Sequence, residues 1–282
     1  SGLDTKSIVS ALVALEKRPI TLIENRKSRA NLQKNAFTDL ESKLGDLKKS
    51  LDALRKAKEF LEFTATPSEE GYFTASASNG AVRGNWEVSV EQLALAQRNK
   101  SAKYADKDTT TFGSGNLKIT IGETVHEIGV GEGNNTLQGI AEAINSYRDA
   151  EGKGLGISAT VLDTGTSPAR YQLVLSAREG GTENAFSLSV DVGDAALEAL
   201  VAEIETGDGG VTSGRFQAAR NSLIRINGIQ IERASNTIDD AIEGVTLTLL
   251  KPHTAPATEA TGLAVATNAS EIGSKIQKFV DA

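Results

Sequence analysis

The sequence contains no cysteine, and only two histidines and one tryptophan in 282 residues. Without cysteine there can be no disulfide, no thiolate nucleophile and no cysteine-ligated metal, and the chain is indifferent to the redox state of its compartment. The two histidines, His126 and His253, lie far apart in the chain and in no metal or triad spacing, so both read as solvated side chains. A basic excess is missing too. The formal net charge is -7, and the lysines and arginines of the first sixty-odd residues interleave with acids, which excludes a general nucleic-acid binder. No apolar run approaches the roughly 18 residues of a membrane span, and no secretory signal is visible. What remains is the composition of an ordinary globular protein, 39% apolar and 24% charged, long enough for two or three domains.

The chain changes texture twice. Asp4 is placed to cap a helix carrying Ile8, Val9, Leu12, Val13 and Leu15 on one face, with Pro19 ending that helix or opening the next. From Pro19 to about Phe63 the spacing predicts a second helix, about 67 Å long at ~1.5 Å per residue. Within it Phe37, Leu40, Leu44, Leu47, Leu51 and Leu54 alternate spacings of three and four, the packing seam of a coiled coil. After Pro67 the texture turns to strands. Trp86, Val88 and Val90 alternate ahead of Leu93. "NLKITIGE" with "TVHEIGV" reads as a hairpin, "NNTLQGIAEAINSY" as a short helix, and "GISATVLD" and "YQLVLSA" as two more strands. In "LIRINGIQIER" the pair Asn227-Gly228 suits a type I′ hairpin turn. The last segment, "NASEIGSKIQKFVDA", returns to helical spacing with Ile272, Ile276, Phe279 and Val280 on one face. Its pattern is still running at Ala282, so the natural chain is expected to continue.

These elements predict an α+β protein: a long helical coiled-coil stem with two inserted β-rich head domains made of hairpins and short helices. The expected divisions are an N-terminal stem over 1–65, an inner head from 66–105 and 215–265, an outer head over 106–214 with one helix, and a returning stem helix over 266–282.

Candidate chemistry is sparse. Gly129, Gly131 and Gly133 follow a strand and precede a helix, but the spacing is not that of a dinucleotide loop and Glu132 would repel phosphate, so a turn is expected. Asp106 with Asp108, and "GDGG" at 207–210, lack the ligand series of a calcium loop and read as polar loops. The densest acidic stretch is "ASNTIDDAIEGVTLTL", residues 234–249. Here Asn236 with Asp239, and Thr237 with Asp240, stand three apart as in a helix cap, and Ile238, Ala241, Ile242 and Val245 fall on one helical face. Gly244 suits the left-handed position that ends a helix, and "VTLTL" alternates as a strand. The stretch therefore reads as a capped short helix feeding a strand, a second copy of the unit that Asn135-Thr136-Leu137 opens. No catalytic, cofactor-binding or metal-binding residue is expected.

Several motifs also resemble a known family. "SGLDTKSIVSALVALEKRPI" (1–20) resembles the N-terminal motif of the flagellar filament cap family, also called hook-associated protein 2. "GNWEVSVEQLALAQ" (84–97) resembles the segment closing that family's N-terminal region, and "NNTLQGIAEAIN" with "GISATV" and "YQLVLSA" is similar to a motif in the heads of several flagellar axial proteins. "INGIQIERASNTIDDAIEGVTLTL" (226–249), followed by "KIQKFVDA" (275–282), is similar to the family's C-terminal region. The resemblance implies a core fragment of a secreted, non-enzymatic component without cofactors, located extracellularly at the tip of the bacterial flagellum. It implies a homo-oligomeric ring, partnership with flagellin and hook-associated proteins, and help for exported flagellin in folding and insertion. An adhesive role toward host surface glycans or mucin is implied as well, with no nucleic acid and no membrane insertion. Another axial protein, such as a hook–filament junction protein or flagellin, or an extracellular adhesin, is the alternative.

Overall fold

The structure, a computed structural model, describes residues 4–55, 61–208 and 210–281. The chain divides into two compact units: residues 1–62 with 267–282, and residues 63–266.

The first unit is helical. Helix α1 (Thr5–Arg55) runs without a break through Pro19, about 77 Å at ~1.5 Å per residue. The expectation of a boundary at Pro19 is thus corrected. Proline removes one intrahelical N–H and crowds the preceding turn, but Glu16, Lys17 and Arg18 of that turn are good helix formers. The Asp4 carboxylate accepts the Ser7 N–H at 3.1 Å, the cap expected for it. The C-terminal helix of this unit (Ala269–Asp281) is capped by Asn268, whose Oδ1 accepts the Glu271 N–H at 3.1 Å. This helix is joined to the stretch after α1 by an ion pair between Lys275 and Glu62 and by the Asn268 N–H donating to the Glu62 carbonyl.

The second unit holds fifteen strands among the described residues. They are β1 (Phe63–Pro67), β2 (Phe73–Ala77), β3 (Gly84–Gln92), β4 (Arg98–Tyr104), β5 (Gly115–Ile121), β6 (Thr124–Val130), β7 (Ile157–Asp163) and β8 (Tyr171–Ala177). After β9 (Phe186–Gly193) come β10 (Gly214–Gln217), β11 (Ser222–Ile226), β12 (Ile229–Arg233), β13 (Thr237–Ile242), β14 (Val245–Leu249) and β15 (Thr261–Thr267). Two helices, α2 (Leu137–Ser146) and α3 (Ala195–Glu205), are interspersed, and the C-terminal helix is α4.

Two separate apolar cores organise this unit. The first lies with a five-stranded sheet of order β1-β15-β3-β11-β12 and a three-stranded sheet β13-β14-β2. Val88 and Val90 of the central strand β3 are fully buried there beside Phe73, Ile224 and Leu247. The β11–β12 hairpin turns at Asn227-Gly228 with φ of 50° and 81°, as the type I′ expectation requires. The second core lies with the sheets β10-β4-β8-β7 and β6-β5-β9, and takes Ile140, Ile144, Leu197 and Leu200 from the two helices. Helix α2 begins where expected: the Thr136 hydroxyl accepts the Gly139 N–H at 3.1 Å.

Three features depart from the sequence reading. Strand β4, assigned to the inner head, pairs with β8 and so belongs with the second core. Helix α3 was not anticipated, although Leu197, Leu200, Val201 and Ile204 keep a helical spacing behind Asp194 and all are buried. The third concerns the acidic stretch. Residues 237–242 form strand β13, not a helix, and pair with β14.

The physical reason is a bulge. Ile238 pairs with Leu247 and Ile242 with Val245, so four steps on β13 face two on β14. The extra residues carry Asp239 and Asp240 to the exposed side while Ile238 and Ile242 stay buried, which imitates helical spacing. Gly244 does adopt a left-handed φ of 73°, but in the β13–β14 hairpin, where a Cβ would come within 2.6 Å of the Ala81 backbone. The unit opened by Asn135 is therefore not repeated at Asn236 as helix plus strand.

Candidate functional site

The residues expected to cap a helix have other work. Asn236 holds the backbone of Ala94, accepting its N–H at 2.7 Å and donating to its carbonyl at 3.0 Å. Asp240 accepts from Arg233 Nε at 2.9 and 3.0 Å, and that guanidinium holds its carboxyl below the usual carboxylate range. The Thr237 N–H donates to the Ser235 hydroxyl at 3.0 Å. Asp239 and Glu243 are exposed. None of the five helix-capping assignments (Asn236, Thr237, Asp239, Asp240, Gly244) survives, because the backbone they would cap is extended.

The polar loops behave as turns. Asp106 Oδ1 accepts the N–H groups of Asp108 and Thr109 at 2.7 and 2.9 Å. Asn134 closes the glycine-rich turn, accepting from Gly131 and donating to the Gly129 carbonyl. Asp208 accepts the Thr212 hydroxyl at 2.6 Å together with the Thr212 and Ser213 N–H groups, which depress its pKa to about 2. Among the described residues no group of three or more histidine, aspartate or glutamate side chains is arranged to hold a metal ion.

Two titratable groups are shifted upward. Burial, and then the hydrogen bond to Glu203 at 2.7 Å, push the Tyr104 phenol well above its ordinary value. Burial likewise raises the Glu205 carboxyl, which accepts the Leu188 N–H and faces Arg215 at 3.8 Å. Glu203 and Glu205 are on α3, so these hydrogen bonds tie that helix to Tyr104 on β4 and Leu188 on β9.

His253 corrects the sequence reading directly. It is buried, stacked on Tyr72 at 3.9 Å with the rings 7° apart. Its Nδ1 accepts the Val90 N–H at 2.9 Å, so the proton is on Nε2, which donates to the Thr261 hydroxyl at 3.1 Å. A ring filled by three neighbours in this way is a structural pin. His126, half-buried, packs edge-on to Tyr147.

A row of exposed apolar side chains runs along α1. Phe37, Leu40, Leu44, Leu47 and Leu51 are all exposed, Phe37 by 72%, as are Ile8, Leu12 and Ile23 nearer the N-terminus. The side chain of Leu54 lies outside the described residues. Helix α1 contacts α4 within the same unit, and this row stays exposed beside that contact.

Helical ends that meet in one unit, with antiparallel sheets inserted between them, define a structural class: a helical stem interrupted by β-rich head domains. Family models identify the branch. The N-terminal model of flagellar hook-associated protein 2 matches residues 1–97 and its C-terminal model residues 219–282, together more than half the chain. The chain belongs to the flagellar hook-associated protein 2 family.

Relatives agree. Flagellar hook-associated protein 2 of Escherichia coli (strain K12) is 31% identical over 247 residues, covering 85% of this chain and 50% of that protein. The B-type flagellar hook-associated protein 2 of Pseudomonas aeruginosa is 30% identical over 294 residues, covering 99% of this chain and 59% of its own length. The chain thus spans between half and three-fifths of these two relatives. The crystal structure of the D1-D2-D3 domains of the flagellar cap protein FliD from Escherichia coli superposes with a TM-score of 0.73 at 28% identity, over 88% of this chain and 66% of that one. FliD (HAP2) from Pseudomonas aeruginosa superposes at 0.61 with 27% identity, over 75% and 92%.

Proposed function

We propose that this chain is part of a structural, non-enzymatic cap at the distal tip of the bacterial flagellar filament. In this reading the protein is exported through the flagellar channel, assembles into a homo-oligomeric ring and promotes folding and incorporation of flagellin beneath it. One observation carries the reading: family models match both ends of the chain in order, and the cap protein FliD of Escherichia coli has the same arrangement over most of this chain. The exposed row Phe37, Leu40, Leu44, Leu47 and Leu51 supports assembly, since packing against further helices would remove that surface from water. Leu54 continues the row in sequence. Contact with hook-associated proteins, and adhesion to host surface glycans or mucin, are finer parts of the same proposal and rest on the resemblance alone.

The test is a deletion strain. It is expected to shed unassembled flagellin into the medium and to be restored by the full-length gene. Normal filaments without leakage in the deletion strain would overturn the proposal. A Leu44→Asp/Leu51→Asp form of the full-length protein is expected to restore it poorly, because carboxylates would enter an apolar seam.

A further inference from the structure

The two β cores share no core residue, yet the chain passes between them twice, at 94–97 and at 217–221. The two crossings are bonded to each other. Leu95 and Arg220 exchange both backbone hydrogen bonds, at 2.9 and 3.1 Å, and Gln217 donates to the Ala96 carbonyl at 2.6 Å. Such a two-stranded neck alone would resist stretching but not bending, because an isolated strand pair is only marginally stable.

Three further contacts brace it. From the first core, Asn236 presents its amide to the neck as a strand partner would, holding both backbone groups of Ala94. From the second core, the loop after β8 reaches back, and the Gly181 N–H donates to the Leu95 carbonyl at 3.2 Å. Gly180 and Gly181 lie flat against the neck and the β12–β13 link: a Cβ on Gly181, at φ 90°, would fall 2.4 Å from Ala234 Cβ, and one on Gly180 would fall 3.2 Å from Ala94 Cβ. The third brace is Asn221. Its Oδ1 accepts the N–H and hydroxyl of Thr182 from the second core at 2.8 and 3.2 Å, while its Nδ2 donates to Glu232 on β12 of the first core at 2.7 Å.

We propose that Asn236, Asn221 and the Gly180-Gly181 contact form a polar latch that locks the two β cores at one angle, so that the inserted unit moves as a single stiff body. Asn236 and Asn221 are positioning residues; neither belongs to either apolar core. Removing their side chains frees the angle between the cores without unfolding either. This inference concerns the β-rich unit alone and does not depend on the proposed cap role.

The absence of cysteine makes the test clean. Spin labels are placed on Thr74→Cys, exposed on β2, and Glu198→Cys, exposed on α3, in the whole chain, and their separation is read by pulsed electron paramagnetic resonance. The parent is expected to give one narrow distance distribution. The added pair Asn221→Ala/Asn236→Ala is expected to broaden it or split off a second distance, with hydrogen-exchange protection at Val88 and Leu173 kept. A broad distribution in the parent, or an unchanged narrow one in the double variant, overturns the latch. If the double variant loses protection at Val88 or Leu173, Asn221→Ala alone is measured. Broadening then supports the latch, and a parent-like distribution overturns it.

Discussion

Helices α1 and α2 differ in where their apolar side chains go. In α2, ten residues long, Leu137, Ile140, Ala141 and Ile144 are all buried. In α1, fifty-one residues long, Leu32, Phe37 and Leu44 are each more than half exposed. Short helices in water are marginal unless a face is buried, so α2 owes its existence to the sheet it covers. Length and favourable propensity give α1 more local stability, and its apolar row stays exposed. The same residue types thus hold this chain together in one place and stay on the surface in the other.

Substitution at matched sites should widen that contrast. Leu173→Ala on β8, fully buried, is expected to cost about 3 kcal/mol, whereas Phe37→Ala on α1 should stay within about 0.5 kcal/mol in this chain. Urea unfolding followed by circular dichroism measures both, and comparable losses at the two sites would erase the distinction. Next in size is His253→Phe, which keeps a ring against Tyr72 but leaves the Val90 N–H without its acceptor; about 2 kcal/mol is expected. A melting curve matching the parent would show that His253 is not a pin. Thr136→Ala removes the cap of α2 and is expected to cost about 1 kcal/mol, read as a lower melting temperature.

The smallest effect is electrostatic. The Asp208 carboxyl titrates at about 2, below its ordinary value of 3.8. Its stabilising contribution is therefore present above 3.8 and is lost as pH falls through about 2. Asp208→Asn is expected to flatten the acid limb of the stability curve in that window and to leave neutral pH little changed. An identical acid limb in the two proteins would contradict this.

Much of the fold is legible in the sequence where one period dominates. The alternation at Trp86, Val88 and Val90, the Asn227-Gly228 turn and the caps at Asp4 and Thr136 each carry their own local cause. The acidic stretch is not legible because a bulge lets a strand bury Ile238 and Ile242 while turning Asp240 outward, and the resulting spacing mimics a helix. His253 is missed for a different reason. Its partners Tyr72, Val90 and Thr261 converge only through tertiary pairing, so no spacing in the chain signals them. The row Phe37, Leu40, Leu44, Leu47 and Leu51 on α1 keeps the expected helical spacing and is exposed.

The ion pair between Glu62 and Lys275 joins residues 213 positions apart, and the whole β-rich unit lies between them. Closing so long a loop in an unfolded chain is entropically unfavourable. Strands β1 and β15, the first and last of that unit, are hydrogen-bonded neighbours, so once the sheets form its two ends emerge side by side. The terminal helix then meets its partner stretch over a short search. Pairing of β1 with β15 in this way shortens the loop that the Glu62–Lys275 contact has to close.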